Sequence, residues 1–272
     1  MASKPKALLE ELTYPGPHEV LRGNLALTGL PGVVFTPREG LNLPAVVFGH
    51  GWLQPPHRYR GLLRHLASWG IVAAAPATQR GPLPSHRLLA ADLRSTLEVV
   101  TSVRLGPEGI SVGPARLGLA GHSTGASAAI LAAATDGEPK VRAVATVAPA
   151  QGMPSAAAAA RSLTMPGMHL TMAEDLVTPT VGNAMAIAEA WGGPVQLRTI
   201  AKSTHLAVTE GFHWSQLFIH GKPHFGTQRL VRALFAAFFL AHLTGTERYQ
   251  PLLQADHKRA PIDFARDGAP AR

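Results

Sequence analysis

The chain has 272 residues, 46% of them hydrophobic, no cysteine and a formal net charge of +8. This apolar content excludes a disordered or fibrous chain and the length suits one α/β domain over residues 1–272, while the lack of cysteine excludes disulfides, thiolate metal sites and a Cys nucleophile. The positive charge is compatible with peripheral contact with anionic surfaces, but Lys and Arg are dispersed, with one dense run at His257-Lys258-Arg259, and no nucleic-acid-binding motif accompanies them, so no nucleic-acid partner is expected.

Residues 1–20 read as an N-terminal extension, and Met1 to Glu11 lack the apolar run of a signal peptide, which predicts a cytoplasmic chain. Val20 to Leu27 and Val33 to Pro37 read as a hairpin-like pair, and Pro44 to Gly49 as a buried strand. A helix over Arg58 to Trp69 is closed by Gly70, and Ile71 to Ala75 is a strand ended by Pro76. Leu88, Leu89, Leu93, Leu97 and Val100 recur at helical spacing and predict a helix from Ser85 to Val103. Arg116 to Ala120 reads as a strand, and Ala126 to Ala134 as a helix of small residues.

Further strands are predicted at Val141 to Ala148, Met168 to Met172 and Val195 to Ile200, with a helix from Thr180 to Trp191 between the last two. Ala156 to Ala160 reads as a short helix. Gln228 to Leu243 is the closing helix, packed by Leu230, Val231, Leu234, Phe235, Phe238 and Phe239. Its apolar stretch carries Arg232 and His242 and is too short to span a bilayer, so no transmembrane segment is expected. Residues 250–272 read as a peripheral tail. Strands alternating with helices predict an α/β fold, a mostly parallel central sheet with helices on both faces.

The residues that carry chemistry centre on Gly121-His122-Ser123-Thr124-Gly125. Chance supplies about 0.1 such G-x-S-x-G pentapeptides in a chain with 27 glycines. Here it falls between an apolar strand and a small-residue helix, where a sharp turn exposes a serine hydroxyl and leaves no room for side chains on either flank. Ser123 is the candidate nucleophile. A carboxylate and a histidine are then required, in that order, after later strands. Asp175 follows the strand Met168 to Met172, and His205 follows the strand Val195 to Ile200. Asp175 would orient His205 and His205 would take the Ser123 proton. Glu174 is the rival acid, since only one of two adjacent residues can face the histidine.

Oxyanion stabilisation needs backbone N–H groups from the residue after the nucleophile and from a loop after an early strand. Thr124 and Trp52 fit, and His50, Gly51, Trp52 and His122 are expected to line the substrate cleft. The Trp52 ring could equally pack in the core, and His122 could serve structurally beside the nucleophile. His220 and His224 have metal-like spacing, but Gly221 and Pro223 disfavour the helix such a pair needs, so neither a metal nor a cofactor is expected.

The layout from about Pro44 to Leu243 resembles the α/β-hydrolase superfamily, and within it the dienelactone-hydrolase-like and bacterial cutinase or polyester-hydrolase group. The likeness rests on Gly51-Trp52, on Ala67-Ser68-Trp69-Gly70-Ile71-Val72, on the Gly121 to Gly125 pentapeptide, on the Asp175 to Pro179 loop and on Ser203-Thr204-His205. It implies a serine esterase acting on a small-molecule or lipid-like ester. Thioester or amide cleavage on the same residues, and a non-catalytic binding protein of this fold, are the alternatives. The stretch from Pro149 to Met168 is too short for a cap domain. The loop from Glu210 to Gly226, with Phe212, Trp214, Phe218 and Phe225, could wall the cleft, although core packing is the expected place for its rings.

Overall fold

The computed structural model describes residues 4–267. The ends of the expected N-terminal extension and C-terminal tail, residues 1–3 and 268–272, lie outside the described residues. Among the described residues nine strands form one sheet: β1 (Val20–Asn24), β2 (Gly32–Pro37), β3 (Leu43–Gly49), β4 (Val72–Pro76), β5 (Val112–His122), β6 (Val141–Val147), β7 (Gly167–Met172), β8 (Val195–Ile200) and β9 (Ile262–Arg266). They lie in the order β1-β2-β4-β3-β5-β6-β7-β8-β9. The run from β4 to β8 is parallel throughout. The antiparallel hairpin β1–β2 closes one edge against β4 and antiparallel β9 closes the other against β8. This is the α/β-hydrolase fold.

The α-helices among the described residues are α1 (Pro5–Leu12), α2 (Arg60–Ser68), α3 (His86–Ser102), α4 (Thr124–Ala133), α5 (Ala156–Ala160), α6 (Ala184–Ala190), α7 (Phe225–Thr244) and α8 (Gln250–Gln254). Successive strand residues point to opposite faces, and the buried residues sort accordingly. On β3, Val46 and Phe48 join the layer built with α1, α2, α7 and α8, whereas Ala45 and Val47 join the layer built with α3, α4, α5 and α6. Both faces are therefore apolar, which is why the central strands read as near-continuous hydrophobic runs. Between β6 and β7 stands only α5, so no cap domain covers the C-terminal ends of the strands.

Several expectations are corrected. The described part of the tail, residues 250–267, is not peripheral: Leu252 and Leu253 are buried and Ile262–Arg266 pairs with β8 as the edge strand of the sheet. Arg198 of β8 fastens it, donating to the carbonyls of Ala260, Leu253 and Ala255 at 2.7 to 3.0 Å. The N-terminal segment is likewise packed, with Leu8, Leu9 and Leu12 of α1 buried. The helix expected from Thr180 starts only at Ala184, because Gly182 takes a left-handed φ of 79° and the Asn183 amide turns back to Thr180. Leu88, counted in the apolar stripe of α3, is exposed. Among the described residues no helix is long and apolar enough to cross a membrane.

Candidate active site

Ser123 occupies the single residue between β5 and α4, with φ 55° and ψ −120°. A serine adopts that region only when its surroundings impose it. Its N–H donates to the Val147 carbonyl of β6 at 3.0 Å, and its carbonyl accepts from the Ala126 N–H at 3.0 Å. The crossing of α4 over the sheet is made by glycine. Gly49 of β3 stands beside Gly121 of β5 in register. A Cβ on Gly125 would sit 2.2 Å from the Gly49 carbonyl, and one on Gly121 would sit 2.3 Å from the Gly125 carbonyl oxygen. Backbone meets backbone there, so the flanks of the serine admit no side chain.

The serine hydroxyl does not cap α4; it lies 3.0 Å from His205 Nε2. His205 heads a short 3-10 turn after β8, and its Nδ1 donates to Asp175 Oδ2 at 2.8 Å. Both side chains are buried. Asp175 rather than Glu174 meets the histidine; Glu174 is exposed and contributes its backbone N–H to the Ser203 carbonyl. The carboxylate is clamped from the other side, Oδ1 accepting the N–H groups of Val177 and Thr178 at 2.8 and 2.9 Å and Oδ2 the Thr178 hydroxyl at 2.8 Å. Burial would raise the Asp175 pKa, but the hydrogen bond and charge of His205 together with the Thr178 donors outweigh it and bring it down to about 2. Asp175 is thus a carboxylate at neutral pH, aimed at the histidine. Thr178 was not singled out from the sequence, although an Asp three residues before a Thr-Pro pair is a turn signal of the side-chain-to-backbone kind.

Among the described residues, the N–H groups of Trp52 and Thr124 donate to no protein acceptor. Thr124 opens α4, so its free amide and the helix dipole point where negative charge is stabilised. The Trp52 ring is not in the core: it is partly exposed and donates from Nε1 to the Pro82 carbonyl at 3.0 Å.

His50 and His122 are 1% and 0% exposed. His50 contacts the Gly51 and Thr78 carbonyls through its two nitrogens, and His122 lies between Tyr59 and the His205 backbone, which for His122 is the structural place beside the nucleophile that the sequence also offered. The expectation for the Glu210 to Gly226 rings is corrected. Phe212 and Phe218 are 79% and 77% exposed, and Trp214, Leu217 and Phe225 also face outward rather than into the core. With Lys202, Thr204 and Ala207 this loop walls a cleft of about 1180 Å³ beside the His205 turn; Ser123, Asp175 and His205 are not in its wall. The loop is fastened at its base by Arg58, which donates to the Glu210 and Gly211 carbonyls, and by Gln54, which donates to Ser215 Oγ at 2.9 Å.

Exposed apolar side chains recur on the loops after successive strands: Trp52 after β3, Leu83 after β4, Met153 after β6, Leu176 after β7, Phe212 and Phe218 after β8. These are the C-terminal ends of the parallel strands, where ligands bind in open α/β sheets. No group of three or more His, Asp or Glu is placed to hold a metal among the described residues. Chemically, a hydroxyl hydrogen-bonded to an imidazole whose other nitrogen is held by a carboxylate can pass its proton as the oxygen attacks an electrophile.

Residues 23–177, more than half of the chain, match the chlorophyllase family. The matched stretch takes in Ser123 and Asp175 and ends before His205. Among curated proteins none matches the chain.

Proposed function

The chain belongs to the chlorophyllase family, and from that premise we propose that it hydrolyses carboxylic esters through an acyl-enzyme on Ser123. The observation that carries this reading is the unbroken path from Ser123 Oγ to His205 Nε2 at 3.0 Å and from His205 Nδ1 to Asp175 Oδ2 at 2.8 Å. Ser123 Oγ attacks the ester carbonyl carbon while His205 Nε2 takes the hydroxyl proton. The carbonyl oxygen becomes an oxyanion and accepts the Trp52 and Thr124 N–H groups, a role that their lack of a backbone acceptor among the described residues supports. Asp175 holds His205 in the tautomer that can accept at Nε2 and offsets the imidazolium charge. Collapse breaks the carbonyl–alkoxy bond, and the alcohol leaves with the proton from Nε2. A water then gives its proton to Nε2 and attacks the acyl carbon, releasing the acid and returning the proton to Ser123.

The apolar residues on the strand-end loops favour an ester with a lipid-like acyl or alcohol part, and the open site without a cap domain favours substrates that lie across the surface. This sits with the resemblance to dienelactone-hydrolase-like enzymes and bacterial cutinases. The test is turnover of p-nitrophenyl esters of graded acyl length by wild type and Ser123→Ala. The variant is expected to lose at least about 10⁴-fold in kcat, and wild-type turnover by it would overturn the assignment. Matched thioester and anilide substrates, run beside the ester, separate esterase from thioesterase and amidase activity.

A further inference from the structure

Behind the catalytic residues lies a second chain of polar groups whose proton positions are fixed from its His205 end. Tyr59, just ahead of α2, is fully buried. Its hydroxyl oxygen accepts the Gly51 N–H at 3.1 Å and contacts His122 Nδ1 at 2.8 Å. His122 Nε2 contacts the His205 carbonyl oxygen at 3.0 Å. A carbonyl can only accept, so His122 Nε2 carries a proton. Burial, reinforced by the neighbouring His205, lowers the His122 pKa well below the ordinary histidine value, so the ring is neutral and Nδ1 is bare. The Tyr59 proton must then go to Nδ1, leaving the phenol oxygen free to accept from Gly51. At the other end the Gly51 backbone amide can only donate, and the phenol oxygen has a lone pair to accept it in this arrangement.

The path therefore runs from Gly51 N–H to Tyr59, from Tyr59 O–H to His122, and from His122 N–H to His205. It joins three separate segments: the turn that carries Gly51 and Trp52, the last residue of β5 before Ser123 and the backbone of His205. Packing agrees with this. A Cβ on Gly51 would come within 2.8 Å of His122 Nδ1 and 3.2 Å of the Tyr59 oxygen, so the glycine is what lets the turn reach the chain. The His122 and His205 rings lie 4.8 Å apart between centroids, and Tyr59 is itself seated on Phe48 of β3 at 4.7 Å.

We propose that Tyr59 and His122 are positioning residues that hold the oxyanion turn and the His205 loop as one unit about Ser123. The proposal rests on the reading of Ser123 and His205 as the reacting pair. Neither positioning residue touches the reacting atoms; both act through backbone whose displacement by about 1 Å is enough to slow chemistry about 100-fold. Residue 122 must accept at one end and donate at the other. Glutamine can do both, through its carbonyl oxygen and its amide nitrogen; leucine, of similar size, can do neither.

The experiment compares Tyr59→Phe, His122→Leu and His122→Gln with wild type on a short p-nitrophenyl ester, normalised to sites titrated by a fluorophosphonate, with a thermal melt of each. Tyr59→Phe and His122→Leu are expected to lose about 10- to 100-fold in kcat with KM moved less than about 2-fold, and His122→Gln to stay within about 3-fold of wild type. ¹⁵N NMR of the wild-type protein without substrate is expected to show His122 protonated at Nε2 and bare at Nδ1, and this readout holds even if a variant fails to fold. A protonated Nδ1, wild-type kcat in His122→Leu, or a His122→Gln no better than the leucine variant overturns the proposal. Ser123→Ala is run alongside. Full activity there would overturn the reading of Ser123 as nucleophile and with it the positioning role, whereas failure of the positioning role alone leaves the dependence on Ser123 intact.

Discussion

The Gly121 to Gly125 turn and the Glu210 to Gly226 loop both border the site, and they are built on opposite principles. In the first, backbone lies against backbone, Ser123 is forced to φ 55°, and a Cβ on Gly125 would sit 2.2 Å from Gly49. In the second, large rings stand in solvent and the loop is held at its base by Arg58 and Gln54. On the proposed reading the first fixes the reacting atoms, where tenths of an ångström decide rates. The second offers apolar area, which needs no exact register. Damage to the two regions should therefore read out differently, as lost turnover or fold at the turn and as altered substrate preference at the loop.

The largest effect is expected where the serine's partners are touched. Asp175→Asn should lower kcat about 10⁴-fold, a cost of about 5 kcal/mol, because the amide presents the wrong hydrogen-bonding group to His205 Nδ1. Glu174→Gln, one residue away and exposed, should stay near wild type; steady-state kinetics of the pair check both, and equal losses would dissolve the assignment of the acid. Next comes Gly125→Ala. The new methyl meets the backbone of Gly49 and His50, which cannot yield as a side chain end would, so about 3 kcal/mol of stability should be lost in a urea melt.

Acid comes third. The folded Asp175 pKa of about 2 lies below its ordinary 3.8, so its contribution to stability is complete above the ordinary value and lost as pH falls through about 2. The gap is worth roughly 2 kcal/mol. Asp175→Asn should therefore flatten the dependence of unfolding free energy on pH between about 4 and 2, and an unchanged slope would contradict the clamped carboxylate. The smallest effect belongs to the loop. Phe212→Ser with Phe218→Ser should lower kcat/KM on long-chain relative to short-chain esters several-fold, about 1 kcal/mol, and barely move the melting temperature, since both rings are exposed in the wild type. A large drop in melting temperature would instead place these rings in the core.

The same contrast explains what could be seen in the sequence. The parallel strands and α3, α4 and α7 were legible because runs such as Val46-Val47-Phe48 are apolar on both faces and helical stripes repeat. That Ser123, Asp175 and His205 would meet was legible because the chemistry expected of them prescribes their order and their places at strand ends. The C-terminal strand was not. Ile262 and Phe264 alternate with the exposed Asp263 and Ala265, a pattern too short and weak to read as a strand, and its anchor is a buried arginine, Arg198, that sequence alone assigns to the surface. Tyr59 and Thr178 were missed because each acts through a partner distant in space or through a backbone turn. The outward rings of Phe212 and Phe218 were missed because an aromatic residue is usually buried, and only loop geometry says otherwise.

The central claim, an acyl-enzyme on Ser123, is tested most directly by mixing the protein with a p-nitrophenyl ester, quenching within the first turnover and mapping the adduct by peptide mass spectrometry. The account predicts a burst of nitrophenol matched by one acyl group on the peptide carrying Gly121 to Gly125, located on Ser123 and absent from Ser123→Ala. Ester turnover with no adduct, or with the acyl group on another residue, would contradict it.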